Sequence, residues 1–290
     1  MPAVRIGWSQ RKAGRFAALG LLVAGTLPAG ACMLGSSGPE KVDPAAFAWN
    51  APISAPATVY IRNTNGSVEV RPSTDGNVRV SAELRWRGSD SRRDVKFQTT
   101  NGANGVTICA LWGGGTCGPT NYHSTRSGVS GLFGNHTSES VAFTVYVPTG
   151  VRVDARTVNG SVGVAATAPV VARSVNGTIR VATSVGPVDA ETVNGNVDVR
   201  MTTLGAEGPV RANTVTGAAS AYLPAKFNGV VDISSTIGQV SSDFDGVSGT
   251  GEAKHLSGIL GAGGRRVDVG TITGSASLRR LNADGTVAAP

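Results

Sequence analysis

Three cysteines have the clearest covalent chemistry in this chain. Cys32 follows the small residues of "LPAGA", which suit cleavage by a signal peptidase, so its thiol is a candidate for lipidation at a mature N-terminus. Cys109 and Cys117 flank the short segment "ALWGGGT", and in an oxidising compartment such a pair predicts a disulfide. Zinc binding is the alternative, but two cysteines without paired Cys or His residues nearby make a poor zinc site.

Acidic residues provide the other candidate chemistry, because a polysaccharide lyase or glycoside hydrolase needs carboxylates gathered on one face. Four aspartates recur at similar places in the second half of the chain: Asp154, Asp189, Asp198 and Asp232. They alternate with valines, so we expect them on solvated strand faces rather than in a catalytic pair.

Two further segments resemble calcium-binding loops only in part. "SDFDG" (242–246) lacks the additional acidic ligands of an EF-hand, and "GAGGRRVDV" (261–269) occurs once, with arginines where a calcium repeat needs other residues. His123 and His136 share a polar segment without metal-ligand spacing to partners. The sequence therefore predicts no catalytic residue, no metal and no cofactor.

The first forty residues indicate export. Arg5, Arg11, Lys12 and Arg15 precede the apolar run 16–24, which is typical of a signal peptide and too short to span a membrane. Residues 1–31 are thus predicted to be the signal peptide and 32–52 a flexible tether. Ala29 to Ala31 fit either an ordinary A-x-A cleavage site or a lipobox before Cys32, so a secreted soluble protein is the alternative to a lipid-anchored one.

Charge does not indicate a nucleic-acid partner. The formal net charge of +7 falls to +3 once residues 1–31, with four cations and no acids, are removed. A basic strip between Arg79 and Lys96 also contains Trp86 and could meet anionic polymers or headgroups, but acidic residues are interspersed, which favours an ordinary solvated edge.

The elements that would position these residues follow from composition and repetition. Forty glycines and few aromatic residues disfavour helices, and no window after residue 40 shows a sustained helical apolar period, so we expect an all-β protein. "TVNG" at 157–160 returns as "SVNG" at 174–177 and "TVNG" at 192–195. Apolar residues recur seven and five positions before the turn glycines and two and four after them, with Gly251 and Ser242 as the exceptions. The predicted turn glycines are Gly66, Gly160, Gly177, Gly195, Gly217, Gly238, Gly258 and Gly274.

The repeat allows two architectures. Asn-Gly pairs favour tight hairpins, and hence an antiparallel meander or sandwich of hairpins. Regular units of 16 to 22 residues, which align like residue with like, favour a parallel β-solenoid with the glycines at one corner. We expect the solenoid over residues 53–281, capped at its ends, with a Gly-rich insertion at 113–140 and a tail at 282–290.

The iterated "T-V-N-G-x-V-x-V" and the "VP-x-G" strand end resemble the bacterial Toastrack family, adhesin-like β-strand-repeat domains of unknown function. The resemblance covers most of residues 58–281. It implies a right-handed β-solenoid exposed at the cell envelope, in some cases linked to envelope stress, with no catalytic residues to transfer.

Together these features predict a scaffold or adhesin-like interaction module of a bacterial cell envelope. We expect a membrane contact through lipid on Cys32 and a partner that is an envelope glycan or an envelope protein. The alternatives are an envelope-stress sensing protein and a carbohydrate-active β-helix enzyme. Loops on one edge of the solenoid are expected to contact the partner.

Overall fold

The computed structural model describes residues 39–87, 95–125, 139–184, 186–204, 208–249 and 254–282. The predicted signal peptide, Cys32 and its surroundings, residues 126–138 of the insertion and nearly all of the C-terminal tail lie outside these ranges. The described residues form strands and contain no helix that is long and apolar enough to cross a bilayer.

The strands form two large sheets and one small hairpin, and from β9 to β20 they alternate in chain order between the two large sheets. They are β1 (Glu40–Pro52), β2 (Thr58–Arg62), β3 (Val68–Pro72), β4 (Asn77–Arg87), β5 (Val95–Gly102), β6 (Gly105–Trp112), β7 (Gly115–Thr116), β8 (His123–Ser124), β9 (Ser140–Val147), β10 (Arg152–Arg156), β11 (Val162–Ala166), β12 (Val170–Asn176), β13 (Ile179–Thr183), β14 (Val188–Asn194), β15 (Val197–Arg200), β16 (Val210–Thr216), β17 (Ala219–Pro224), β18 (Gly229–Ile237), β19 (Val240–Ser242), β20 (Val247–Ser248), β21 (His255–Leu260), β22 (Arg265–Thr273) and β23 (Ala276–Leu281).

Each coil contributes one strand to each sheet, and successive coils pair in parallel and in register. Val170 aligns with Val188 and Val188 with Val210, while Ala172 and Ala190 align in the same way. Their side chains alternate with polar ones and point between the sheets, where they are buried. The parallel solenoid is confirmed, and the hairpin alternative is wrong for these coils.

The order of the layers departs from the order of the sequence at both ends. One sheet runs β1-β4-β9-β3-β11-β13-β15-β17-β23-β19, and the other runs β5-β6-β2-β10-β12-β14-β16-β22-β18-β21-β20. The coil β22–β23 therefore lies between β16–β17 and β18–β19, although it follows both in the chain. At the opposite end, β2–β3 lies between β10–β11 and the later pair β6 and β9.

Antiparallel strands close both ends of the stack. β4 and β5 pair antiparallel with β9 and β6, and β1 pairs with β4. At the other end, β21 pairs antiparallel with β18, and β20 with β21. These strands cover the layers whose backbone groups would otherwise be open to edge pairing, as expected of caps.

The predicted boundary between tether and solenoid is wrong. Residues 40–52, expected to be tether, form β1, because Phe47 and Trp49 pack against the core and Phe47 stacks on Phe97 with ring centroids 5.0 Å apart. The predicted insertion 113–140 holds the short hairpin of β7 and β8 and ends inside β9, while 126–138 lies outside the described residues.

Candidate binding groove and sheet faces

Seven of the predicted turn glycines lie at one corner of the stack, where neighbouring layers approach closely. A Cβ on Gly195 would overlap the carbonyl oxygen of Gly177 in the next layer, and the φ of Gly195 is +148°. Gly177 has the same close approach, to Gly160, without a left-handed φ. The glycine is therefore required chiefly by backbone-to-backbone packing between layers.

The eighth predicted turn glycine is a correction. Gly258 lies in the middle of β21, where it pairs with Val231 on one side and Val247 on the other. The segment around it resembles a repeat unit in composition but runs antiparallel as an end cap. His255, at the start of that strand, is exposed and lies 3.1 Å from the carboxylate of Asp232.

The polar residues of the "TVNG" motif bond from layer to layer. Thr192 Oγ1 donates to the carbonyl of Gly177 (3.0 Å), and Thr214 Oγ1 donates to the carbonyl of Gly195 (2.8 Å). Asn194 Nδ2 donates to Asn176 Oδ1 at 2.9 Å, which forms an amide ladder. The threonines satisfy part-buried backbone carbonyls at the corner, and the asparagines join neighbouring layers at its exposed surface, so the motif has a structural role.

The predicted disulfide between Cys109 and Cys117 is present, with Cα atoms 5.8 Å apart, and both residues are buried. Arg62, almost fully buried, fixes the same region. Its guanidinium donates to the Pro119 carbonyl, to the Asp154 carbonyl (2.8 Å) and to Asp154 Oδ1 (2.9 Å). Burial lowers the pKa of Arg62, and the Asp154 carboxylate opposes that shift. No sequence signal distinguishes this arginine from exposed ones.

One of the two large sheets contains β10, β12, β14 and β16, and its outer face carries paired charges beside exposed apolar side chains. Arg173 forms ion pairs with Asp189 and Glu191 from the neighbouring strand, and Arg156 pairs with Asp154 at 2.8 Å. The second residue of the repeated motif stacks along the corner as a partly exposed row: Val158, Val175, Val193, Val215 and Ile272.

The outer face of the other sheet brings two carboxylates into a shallow depression of about 470 Å³. Glu69 and Asp198 occupy equivalent positions on β3 and β15, with Gly163 and Arg180 between them on β11 and β13. Three strand spacings separate their backbones by about 14 Å. Burial raises the pKa of Asp198, against the opposing effect of Arg180 and Arg200.

A concave feature lies at the opposite edge of the stack from the glycine corner, and we call it the loop-edge groove. Its volume is about 1150 Å³. Three loops line it: one precedes β16, one joins β17 to β18, and one precedes β22. These loops are neighbours in space because β22–β23 lies between the β16 and β18 layers.

Four cations line the loop-edge groove: Arg211, Lys226, Arg265 and Arg266. Asp268 lies beside it and accepts from Arg266 (2.6 Å) and pairs more loosely with Arg211 (3.6 Å). Among the described residues, no ion pair joins Lys226 to a carboxylate. Glu207 belongs to the first loop and lies outside the described residues.

Apolar and backbone surfaces complete the groove. The ring of Phe227 packs edge-on against Phe244, with centroids 5.3 Å apart. Gly264 has open space where a Cβ would stand, and its φ is +101°. Asn228 Oδ1 accepts from the amide of Ala262 at 3.1 Å, which fastens the second loop to the third. The geometry provides a pre-formed, cationic and partly apolar cleft.

In the described part of the basic strip predicted between Arg79 and Lys96, two of the cations are paired with carboxylates. Arg79 pairs with Asp75 and Arg85 with Glu83, while Arg92 and Arg93 lie outside the described residues. No group of three or more potential metal ligands occurs in the described part of the chain.

Comparisons with known proteins follow this geometry. The family model described as Toastrack DUF4097 matches residues 149–279. A "putative cell adhesion protein" from Clostridium sporogenes aligns with a TM-score of 0.46 and 12% identity, over 83% of this chain and 99% of its own. A "putative adhesin" from Bacteroides fragilis aligns with a TM-score of 0.26 and 10% identity, over 83% and 97%. No curated protein matches the chain. The resemblance predicted from the repeats is thus confirmed over residues 149–279, which match the model of the Toastrack family.

Proposed function

We propose that this protein is an adhesin-like interaction module of a bacterial cell envelope, which presents its loop-edge groove to a partner. The observation that carries the proposal is the convergence of three loops from three layers into one cationic cleft. Loops held by a rigid scaffold are where binding sites concentrate. The signal peptide predicted for residues 1–31 supports a location outside the cytoplasm.

The proposal includes an anchor at Cys32 and no catalytic step. A lipid on the mature N-terminus would hold the domain at a membrane through the segment before β1. Glu69 and Asp198 are the two carboxylates that share the depression on one sheet, and their backbones are about 14 Å apart. An enzyme remains the alternative, supported if Asp198→Asn or Glu69→Gln abolishes turnover of a glycan substrate.

The anchor is tested by labelling cells with palmitate and separating membranes from soluble material. We expect wild type to incorporate the label and sediment with membranes, and Cys32→Ala to do neither. Unlabelled wild type, together with a Cys32→Ala protein that still fractionates with membranes, would contradict the anchor.

The groove is tested by photo-crosslinking in intact cells, with the photoreactive residue at position 226 and, as a matched control, at position 71. Lys226 and Arg71 are both exposed cations, but Arg71 lies on a sheet face away from the groove. We expect adducts to envelope material from position 226 only. Equal yields from both positions, or none from either, would overturn the assignment of the groove. A protein adduct would favour the envelope-stress role.

A further inference from the structure

We propose that the shallow depression on the outer face of one sheet binds a neutral saccharide through two neighbouring hydroxyl groups of a sugar ring. The depression is the one that Glu69 and Asp198 share, on the sheet that contains β3, β11, β13, β15 and β17. No residue of its lining also lines the loop-edge groove, and Arg71, the control position for crosslinking, lines neither. The inference therefore adds a second binding site to the proposed interaction module.

The middle of this sheet face has room for a ligand because its side chains are small. Gly163 and Ala165 on β11 and Ala182 on β13 form the floor of the depression. A Cβ on Gly163 would overlap the Glu69 carboxylate, so the glycine allows that carboxylate to lie over the floor. The depression extends over five strands, about 19 Å, and its volume of about 470 Å³ lies within the range of small-molecule sites.

Asp198 contributes a half-buried carboxylate whose capacity for hydrogen bonds is unused. It forms no hydrogen bond or ion pair among the described residues, whereas Asp154 and Asp189 on the other sheet each bind an arginine. Burial raises the pKa of Asp198, and Arg180 and Arg200 oppose that shift at longer range. Since burial makes the ionised carboxylate unfavourable for folding, binding explains its presence better than stability does.

Two arginines place hydrogen-bond donors beside that carboxylate. Arg180 lies directly opposite Asp198 on the neighbouring strand, and it is exposed, with no hydrogen bond or ion pair among the described residues. Arg200 lies two residues further along β15, and its guanidinium carbon is 5.2 Å from the centre of the Tyr222 ring. This cation–π contact holds Arg200 at the rim. The depression therefore presents one acceptor group with donor groups on two sides of it.

A pair of sugar hydroxyl groups matches this arrangement. Each hydroxyl group donates one hydrogen bond and accepts others, so neighbouring hydroxyls can donate to Asp198 and accept from Arg180 at the same time. Such bonds are charge-assisted and stronger than those between neutral groups. The charges of Asp198 and Arg180 cancel, which favours a neutral ligand, because an ionic one would meet a like charge beside each opposite charge. The Tyr222 ring adds apolar surface that suits the C–H groups of a sugar.

The experiment titrates the purified protein with three neutral tetrasaccharides and follows binding by saturation-transfer NMR and calorimetry. Maltotetraose and cellotetraose carry neighbouring hydroxyl groups on every ring, whereas chitotetraose has an acetamide in place of one hydroxyl of the pair on its internal rings. We expect at least one of the two glucans to bind, and chitotetraose to bind at least about fivefold more weakly, because one of the paired contacts is lost.

Three variants test the residues. Asp198→Asn should weaken binding of that glucan roughly tenfold or more, because hydrogen bonds to an ionised acceptor become bonds to a neutral amide. Asp232→Asn makes the same change on the other sheet, where the carboxylate lies 3.1 Å from His255, and should bind like wild type. Ala182→Trp places a bulky side chain on the floor and should abolish measurable binding, and it spares the core because Ala182 is exposed. Circular dichroism should show that all three are folded.

Binding of neither glucan, or chitotetraose binding as tightly as the preferred glucan, would overturn the proposal. Equal losses in Asp198→Asn and Asp232→Asn, or unaltered binding by a folded Ala182→Trp variant, would do the same. Sugar binding without crosslinking from position 226 would keep this site and reject the loop-edge groove. Crosslinking from position 226 without sugar binding would reject this site alone.

Discussion

Each residue of the repeated Thr-Val-Asn-Gly motif has its own physical task. In the third copy, Thr192 satisfies a carbonyl of the neighbouring layer, Val193 stays partly exposed, and Asn194 joins an amide ladder. Gly195 lets two backbones meet where a Cβ has no room. The glycine therefore persists where the asparagine is replaced by Thr216, as the sequence comparison of the units already indicates.

The glycine corner predicts a large difference between two alanine substitutions. Gly195→Ala combines a φ of +148° with an overlap onto the Gly177 carbonyl and should lower the free energy of unfolding by more than about 2 kcal/mol. Gly76→Ala, in a turn with open space around the new methyl group, should change it by less than about 0.5 kcal/mol. Denaturant titrations measure both values, and equal effects would contradict the packing argument.

Arg62 predicts a buried-charge effect. Arg62→Met removes the donors to the Pro119 and Asp154 carbonyls and one of the two cations on the Asp154 carboxylate. We expect a loss of about 3 kcal/mol in unfolding free energy, at the low end for a broken buried pair because Arg156 remains. Arg71 forms an exposed pair with Glu69, in which Nε and Oε1 are 3.9 Å apart. Arg71→Met should therefore lower the free energy of unfolding by less than about 1 kcal/mol. A comparable loss in both variants would refute the role of Arg62.

Replacing Asp198 by asparagine is expected to stabilise the fold in a pH-dependent way. Because burial raises its pKa in the folded state, folding favours the protonated carboxyl, and the ionised form at neutral pH destabilises the fold. Asp198→Asn should therefore unfold at a higher denaturant concentration than wild type at pH 7. The advantage should shrink as the pH falls through the raised pKa of folded Asp198, and it should be gone below the pKa of an unfolded aspartate, where the carboxyl is neutral in both states. A variant less stable than wild type at pH 7 would instead show that Arg180 and Arg200 outweigh burial.

Among the elements, the coil β22–β23 has a position in the stack that the sequence does not predict. The alternation of Val267, Val269 and Leu278 correctly predicts a coil with one buried face. Nothing in that pattern says that the coil pairs with β16 on one side and β18 on the other, because every coil presents a similar edge. The same ambiguity explains Gly258, since a capping strand and a coil share glycine and apolar alternation.

The inserted coil predicts how truncation propagates. A chain ending at Lys254 lacks β21, β22 and β23, so β18 and β19 lose every strand with which they pair. We expect limited proteolysis to trim this variant to a fragment that ends near Pro224. A control chain ending at Asn282 keeps all described strands and should resist trimming beyond Leu281. Protection of residues 229–242 in the shorter chain would show that these strands dock without β22–β23.

At the scale of the whole molecule, the sequence predicts the stack better than the groove. The inward Val and Ala residues repeat at fixed offsets from the turn glycines, so the solenoid and its glycine corner can be predicted from the sequence. The Cys109–Cys117 disulfide can also be predicted, because the two cysteines are close in the sequence. Lys226 and Arg265 lie 39 positions apart in loops of unlike sequence, and they meet only because of the layer order. A site made by non-consecutive layers leaves no spacing motif.

The closed ends of the stack also decide where this architecture can change its length. Between β10 and β17 each layer follows the previous one in the sequence, whereas at both ends the layers interlock out of order. Duplicating the eighteen residues from Thr178 to Gly195 would add one coil, which would lengthen the stack by about 4.8 Å and leave the two ends unchanged. The middle of the protein can thus be lengthened by duplication of a repeat unit, whereas the two ends cannot be extended in this way.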